Sequence, residues 1–236
     1  MDKAIEQLVE KLRKAYGERL VSVVLYGSAV SGDRDEGFSD YNVLCVLTEI
    51  TPRELAAGTG IFHWWREQGN PSPLLLTERE VSNGADCFPI EFRDIQSSHQ
   101  VLHGGDPIAG VVVDDVFYRA QVEHDLRAKL LRLRQKAGGM LSDSDLLCRL
   151  LADSVSTFCV LFRHALALHG AEAPYQKREV VRAAAARFGI DPAGFEQLLD
   201  LRERRIKARD VKPTELLASC MAQIERVIDA VDSLEK

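Results

Sequence analysis

Two short stretches combine residue types suited to phosphate and cations. They are Leu25-Tyr26-Gly27-Ser28 and, after an eleven-residue interval, Asp40-Tyr41-Asn42-Val43-Leu44. An apolar run that stops at Gly-Ser and turns into a short helix leaves backbone N–H groups beside a hydroxyl. Glycine also lets an anion approach the backbone closely, so Gly27 and Ser28 suit phosphate oxygens. Asp40 and Asn42, two apart on a strand, project from one face. An acid at the opening of an apolar strand is costly to bury unpaired and should face solvent or a cation.

The elements around these residues follow from periodicity. Residues 2–16 place Ile5, Leu8, Val9 and Leu12 on one helical face, with Gly17 as the stop. The β-branched run 21–26 reads as a buried strand, and 41–47 as a second. Between them, 29–39 can hold one helical turn and a loop. Thr51-Pro52-Arg53-Glu54 combines a capping box with proline at the first helical position. Trp64 and Trp65 read as packing anchors near the end of that helix. Leu74-Leu75-Leu76 and Phe88-Pro89-Ile90-Glu91-Phe92-Arg93 are expected to be two more strands, with Pro89 at an edge or first position. After Gly104-Gly105-Asp106-Pro107 the pattern becomes helical throughout. Leu126, Leu130 and Leu133 share a face, 145–168 is apolar nearly all round, and Gly189 and Asp191-Pro192 separate the later helices. The expectation is an α+β chain, with a mixed sheet flanked by helices over 1–112 and a five-helix bundle over 113–236.

The joint placement of Gly27-Ser28 and Asp40-x-Asn42 resembles the nucleotidyltransferase superfamily of the DNA polymerase beta type, which includes small antibiotic-modifying transferases. That family's pattern is an apolar strand, Gly-Ser, about ten residues, and Asp-x-Asp or Asp-x-Glu on the next strand, with a third carboxylate on a later strand. The resemblance covers roughly residues 20–95, and the helical tail is similar in size to the bundle of bacterial members. It implies that Gly27 and Ser28 contact a nucleoside triphosphate and that Asp40 binds Mg2+ or Mn2+. Asn42 falls at the second carboxylate. Glu91, which interrupts an apolar run, stands for the third, with Asp94 as the fallback. The implied reaction is magnesium-dependent transfer of a nucleoside monophosphate from an NTP to a hydroxyl of a small molecule or protein.

Asn42 departs from the pattern. Two-metal transfer uses carboxylates to hold two cations about 4 Å apart, and asparagine offers a carbonyl oxygen with one charge fewer. The alternative implied is a degenerate nucleotide-binding relative, acting as a sensor or antitoxin-like partner. Asp33, Asp35 and Glu36 in the intervening loop read as compensating acids or solvated surface. Glu123, at the start of the first bundle helix, is a candidate base or a helix-start charge.

Composition narrows the remaining classes. With 236 residues, 46% apolar and 28% charged, the chain can build a core and is neither collagen-like nor disordered. No apolar run reaches the length of a membrane span, and the first twenty residues do not read as a secretory signal, so a cytoplasmic protein is expected. The five cysteines lack C-x-x-C or finger spacing, and His99 and His103, four apart, lack an evident third ligand. Residues 1–112 hold 10 Lys/Arg against 17 Asp/Glu, and the rest 20 against 19. Such a front half repels bare polyanions, so long nucleic acid is not an expected partner. A homodimer is compatible with the sequence.

Overall fold

The structure is a computed structural model that describes residues 2–31 and 41–234. The chain divides into two units, Met1–Phe117 and Tyr118–Lys236.

In the first unit, α1 (Lys3–Tyr16) starts where the Asp2 carboxylate accepts the Ala4 N–H at 2.9 Å and ends at Gly17, whose φ of 56° suits a residue without Cβ. Its buried stripe is Ile5, Leu8, Leu12 and Tyr16. β1 (Leu20–Tyr26) leads into α2 (Ser28–Ser31). β2 (Asn42–Leu47), α3 (Pro52–Glu67), β3 (Leu74–Thr77), α4 (Glu78–Asn83), α5 (Pro89–Ser97) and β4 (His99–Gly104) follow.

The four strands form one mixed sheet in the order β3-β2-β1-β4. β1 pairs antiparallel with both β2 and β4, and β3 runs parallel to β2. Strand alternation divides the apolar side chains between the faces. Val23, Leu25, Tyr41, Val43, Cys45 and Leu47 join the α1 stripe and Trp65 in one core cluster. Val24, Leu44 and Val46 are equally buried on the other face. Tyr41, just before β2, is anchored three ways. Its ring stacks on Trp65 with centroids 6.0 Å apart, its hydroxyl donates to Asp2 at 2.5 Å, and its N–H donates to Asn70 Oδ1 at 3.0 Å.

The capping box at Thr51 is present as expected and carries a buried charge. The Glu54 side chain is fully buried, accepts from the Thr51 hydroxyl and N–H, and meets the Arg19 guanidinium at 3.2 Å. The Thr51 hydroxyl, with Arg19 behind it, holds the carboxyl below the ordinary carboxylate range despite burial, which acts upward. The folded carboxyl therefore keeps its charge to lower pH than the unfolded one. Its stabilisation is complete above the unfolded value of about 4.3 and is lost as pH falls through the folded value. Glu54→Gln is expected to lower stability near neutrality and to flatten the acid side of the stability profile, read as urea midpoints against pH. An unchanged acid side would contradict the assignment.

The expected strand over 88–93 is corrected by the structure: these residues open α5. Pro89 occupies its first turn, and Phe92 and Ile95 are buried three apart, a helical rather than an alternating period. The fourth strand is instead β4, in a segment assigned no strand from the sequence.

The second unit is helical among its described residues: α6 (Asp115–Gly138, which begins just before the division), α7 (Ser144–Leu168), α8 (Lys177–Phe188), α9 (Ala193–Arg202) and α10 (Pro213–Asp232). α7 buries thirteen residues over nearly its whole circumference and packs against α8, α9 and α10. Asp143 caps it by accepting the Asp145 and Leu146 N–H groups, and Gly189 ends α8 at a φ of 65°. Among the described residues, no helix is long and apolar enough to cross a membrane.

Candidate active site

Two of the candidate residues, Gly27 and Asn42, meet at the carboxyl end of β1. Tyr26 stands directly opposite Asn42 on β2 and His99 on β4, so the three side chains form a row on one face of the sheet. Gly27 follows with φ 81°, the left-handed turn that starts α2. A Cβ placed on Gly27 would stand 3.4 Å from Asn42 Nδ2, so the asparagine amide lies against the bend. The Gly27 N–H donates to the Ser98 carbonyl at 2.9 Å, which ties the bend to the residue before β4. That amide is therefore committed to the fold, and the contribution of Gly27 is the turn. Helix geometry leaves the first-turn amides of α2 without intrahelical acceptors, and one of them, on Val30, is met by the Gly27 carbonyl.

Glu91 and Asp94 approach the same end from α5. The Tyr26 phenol is pushed up from its ordinary value by burial first, then by Asp94, then by Glu91. Both carboxylates thus act on a side chain that shares its face with Asn42. Glu91 is exposed in the first turn of α5. The helix is held in place by Arg93, which donates to the Val113 carbonyl at 3.2 Å and pairs with Asp115. Gln96 adds a bond to the Val111 carbonyl at 2.6 Å.

The structure thus sets Gly27 and Asn42 side by side at the end of β1, and the charges of Glu91 and Asp94 act on the neighbouring Tyr26. Asp40 lies outside the described residues, as do Asp33, Asp35 and Glu36, and the Ser28 side chain is likewise undescribed. Among the described residues, no three His, Cys, Asp or Glu side chains gather as a metal cluster. Glu123, the candidate base in α6, is engaged by Arg119 at 2.9 Å and Arg127 at 2.8 Å. Burial acts upward on its carboxyl, but the two guanidinium groups outweigh it and hold the carboxyl below its ordinary value.

Sequence reasoning assigns no role to Tyr26 or to the His99–Asp106 pair. His99 Nε2 lies 3.1 Å from Asp106 Oδ2, and Asp106 Oδ1 accepts the Ile108 N–H at 2.9 Å. The signal available is Gly104-Gly105-Asp106-Pro107, a turn that brings an acid back beside the preceding strand.

No family model matches the chain, and no curated protein matches it. Among solved structures, the chain is similar to the spectinomycin adenyltransferase AAD(9) from Enterococcus faecialis, a crystal structure with ATP and spectinomycin. The likeness has a TM-score of 0.61 at 13% identity and covers 98% of this chain and 99% of that one. At that identity the likeness speaks for architecture. The chain has the nucleotidyltransferase fold, a mixed four-stranded sheet with flanking helices, followed by a helical region.

Proposed function

We propose that the chain transfers a nucleoside monophosphate from a nucleoside triphosphate, with ATP as the first candidate, to a hydroxyl on a small molecule or protein, releasing pyrophosphate. The observation that carries this reading is the row Asn42–Tyr26 beside the Gly27 turn, with Glu91 and Asp94 acting on the same tyrosine. The likeness to an adenyltransferase structure containing ATP supports the choice of donor.

Each residue has a distinct task in this account. The Gly27 turn aims the start of α2, and the Ser28 hydroxyl and helix-start amides meet phosphate oxygens. Tyr26, with its phenol pushed up, stays protonated at neutral pH and keeps an O–H to donate. Asp40, Asn42 and Glu91 offer hard oxygen donors, and the two carboxylates with one amide oxygen fit Mg2+ or Mn2+ in chemistry. When bound, such an ion neutralises phosphate charge and stabilises the departing pyrophosphate. The rest is positioning, because phosphoryl chemistry asks little covalent help from a protein.

The test is incubation of the chain with α-labelled ATP, Mg2+ and hydroxyl acceptors including spectinomycin, the acceptor seen in the similar structure. Label transfer with pyrophosphate release, abolished by Asp40→Ala, is the expected result. Absence of any nucleotide affinity would overturn the proposal.

A second reading, a nucleotide-binding relative without transferase activity, is favoured by Asn42 itself. Asn42→Asp separates the two. On the transferase reading, the variant raises turnover at sub-saturating Mg2+ by about tenfold, within the range that ligand-shell changes produce. Nucleotide binding without turnover in the native chain, with turnover appearing only in the variant, would favour the second reading.

A further inference from the structure

Transfer to a hydroxyl leaves one proton to be placed, and few of the described groups near the bend can take it. Tyr26 keeps its own proton, since burial and then Asp94 and Glu91 disfavour the phenolate. Glu91 is committed to the cation in the nucleotidyltransfer reading. The exposed Cys87 thiol is held in its protonated form by Asp86. In the helical unit, Glu123 is neutralised by two arginines and is a weak base.

His99 differs on three counts. It stands directly opposite Tyr26, one strand over from the pair formed by Tyr26 and Asn42, and so belongs to the same row on the same face. The residue before it, Ser98, supplies the carbonyl that fixes the Gly27 N–H, so ring and bend are tied through the backbone. Its ring has a carboxylate partner, with Nε2 at 3.1 Å from Asp106 Oδ2. That carboxylate is partly covered, with its side chain 35% exposed against 20% for His99. Burial acts upward on the Asp106 carboxyl, but the Ile108 N–H, His99 and the Ala109 N–H outweigh it and keep it ionised. An ionised oxygen accepts, so in the neutral ring Nε2 is the nitrogen that carries the proton and Nδ1 the one with the lone pair. This is the base-and-orienter arrangement of general base catalysis.

We propose that His99, oriented by Asp106, takes the proton of the acceptor hydroxyl. This inference rests on the nucleotidyltransfer reading and names its missing base. The hydroxyl O–H proton passes to Nδ1 as the oxygen lone pair forms the new bond to the α-phosphorus. The bond from that phosphorus to the bridging oxygen breaks, and pyrophosphate leaves with the electron pair. The imidazolium faces the Asp106 carboxylate until the proton passes to solvent. Among the described residues, Asp106 is the charged group paired with the ring, and Glu91 and Asp94 act on its row neighbour Tyr26. α2, which packs against β4, has the sequence Ser-Ala-Val-Ser and brings no charge. Asp106 is a positioning residue.

The experiment has two arms on the full chain. In the first, kcat/KM for Mg2+·ATP and a hydroxyl acceptor is followed against pH for the native chain, His99→Gln and Asp106→Asn. His99→Gln is expected to lose about 10²- to 10⁴-fold and its acid limb. Asp106→Asn keeps an acceptor for Ile108 but can present N–H to the ring and favour the wrong tautomer. It should fall by a smaller factor with a shifted limb, an effect that a merely structural role would not produce.

In the second arm, Mn2+·ATP is added while the histidine ring resonances are followed by NMR. The expected result is selective broadening of the His99 ring, while His63, exposed on α3, remains sharp. A His99→Gln variant within threefold of native with its acid limb intact, or bound Mn2+·ATP that leaves the His99 ring sharp, overturns the inference alone. Absence of Mn2+·ATP binding to the native chain overturns the nucleotidyltransfer reading and this inference with it.

Discussion

Glu91→Gln is expected to reduce ATP-dependent pyrophosphate release by about 10³-fold, the scale of several kcal/mol associated with a lost metal carboxylate. The fold should be nearly indifferent. The side chain is exposed in the first turn of α5, where an acid contributes about 0.3–1 kcal/mol against the helix dipole. A large loss of turnover with a thermal midpoint near native would therefore report on chemistry. Asp94→Asn supplies the contrast. Asp94 exerts the larger of the two carboxylate effects on the Tyr26 phenol. Negative neighbours disfavour the phenolate, so removing either charge lowers the phenol pKa, and Asp94→Asn lowers it more. On the assignment of Glu91 as ligand, turnover has the opposite order: Glu91→Gln loses more than Asp94→Asn. Spectrophotometric titration of Tyr26 beside turnover measures both orders. If Asp94→Asn carried the greater loss of turnover, Asp94 would replace Glu91 as the third acid.

Gly104→Ala is expected to be among the most damaging single substitutions in the first unit. Gly104 has φ 76°, and a Cβ there would lie 1.9 Å from the Val21 carbonyl oxygen and 3.2 Å from Ser22 Cα. The left-handed conformation alone costs an L-residue about 1–2 kcal/mol. The clash is with backbone, so no side chain can rotate to relieve it. β4 must pull away from β1 at the point where the buried Ser22 hydroxyl is shared between the His103 and Gly105 carbonyls, at 3.1 and 2.8 Å. A loss of about 4 kcal/mol or more, in the exceptional class for one substitution, follows from combining strain with a broken buried hydrogen bond. Urea unfolding measures it. Because β4 also supplies His99 and follows directly on Ser98, whose carbonyl holds Gly27, residual folded protein should bind ATP poorly. A destabilisation below about 1 kcal/mol would contradict this account of the β1–β4 register.

Much of this architecture can be read from the residues in order. The strands at 21–26 and 41–47 announce themselves through β-branched, buried-type runs, and the Thr51 capping box and the Gly17 and Gly189 stops through residue chemistry. α5 cannot be separated from a strand in this way, because Phe88-Pro89-Ile90-Glu91-Phe92 is too short to display its period. Proline is at home both at a strand's first residue and in a helix's first turn. β4 escapes detection for the opposite reason. His99-Gln100-Val101-Leu102-His103-Gly104 has little apolar alternation, and it becomes a strand through pairing with β1 and a register shift between Val23 and Val24.

The same limit applies to the site. Gly27 and Asn42 are legible through spacing, and the register sets them side by side. The commitment of the Gly27 N–H to Ser98, the electrostatic hold of Glu91 and Asp94 on Tyr26, and the His99–Asp106 pair depend on where α5 and β4 lie. Those are tertiary facts that local spacing does not encode.

The central claim is that carboxylates 40 and 91 hold a cation on a nucleotide's phosphates beside the bend at 27–28. It is tested most directly by a crystal structure soaked with Mn2+ and a non-hydrolysable ATP analogue, using anomalous scattering to locate the ion. The account predicts a manganese peak ligated by Asp40 and Glu91, with the triphosphate oxygens on the Ser28 side of the Gly27 turn. A nucleotide bound elsewhere on the chain, or seated at the bend with no manganese against either carboxylate, would contradict it.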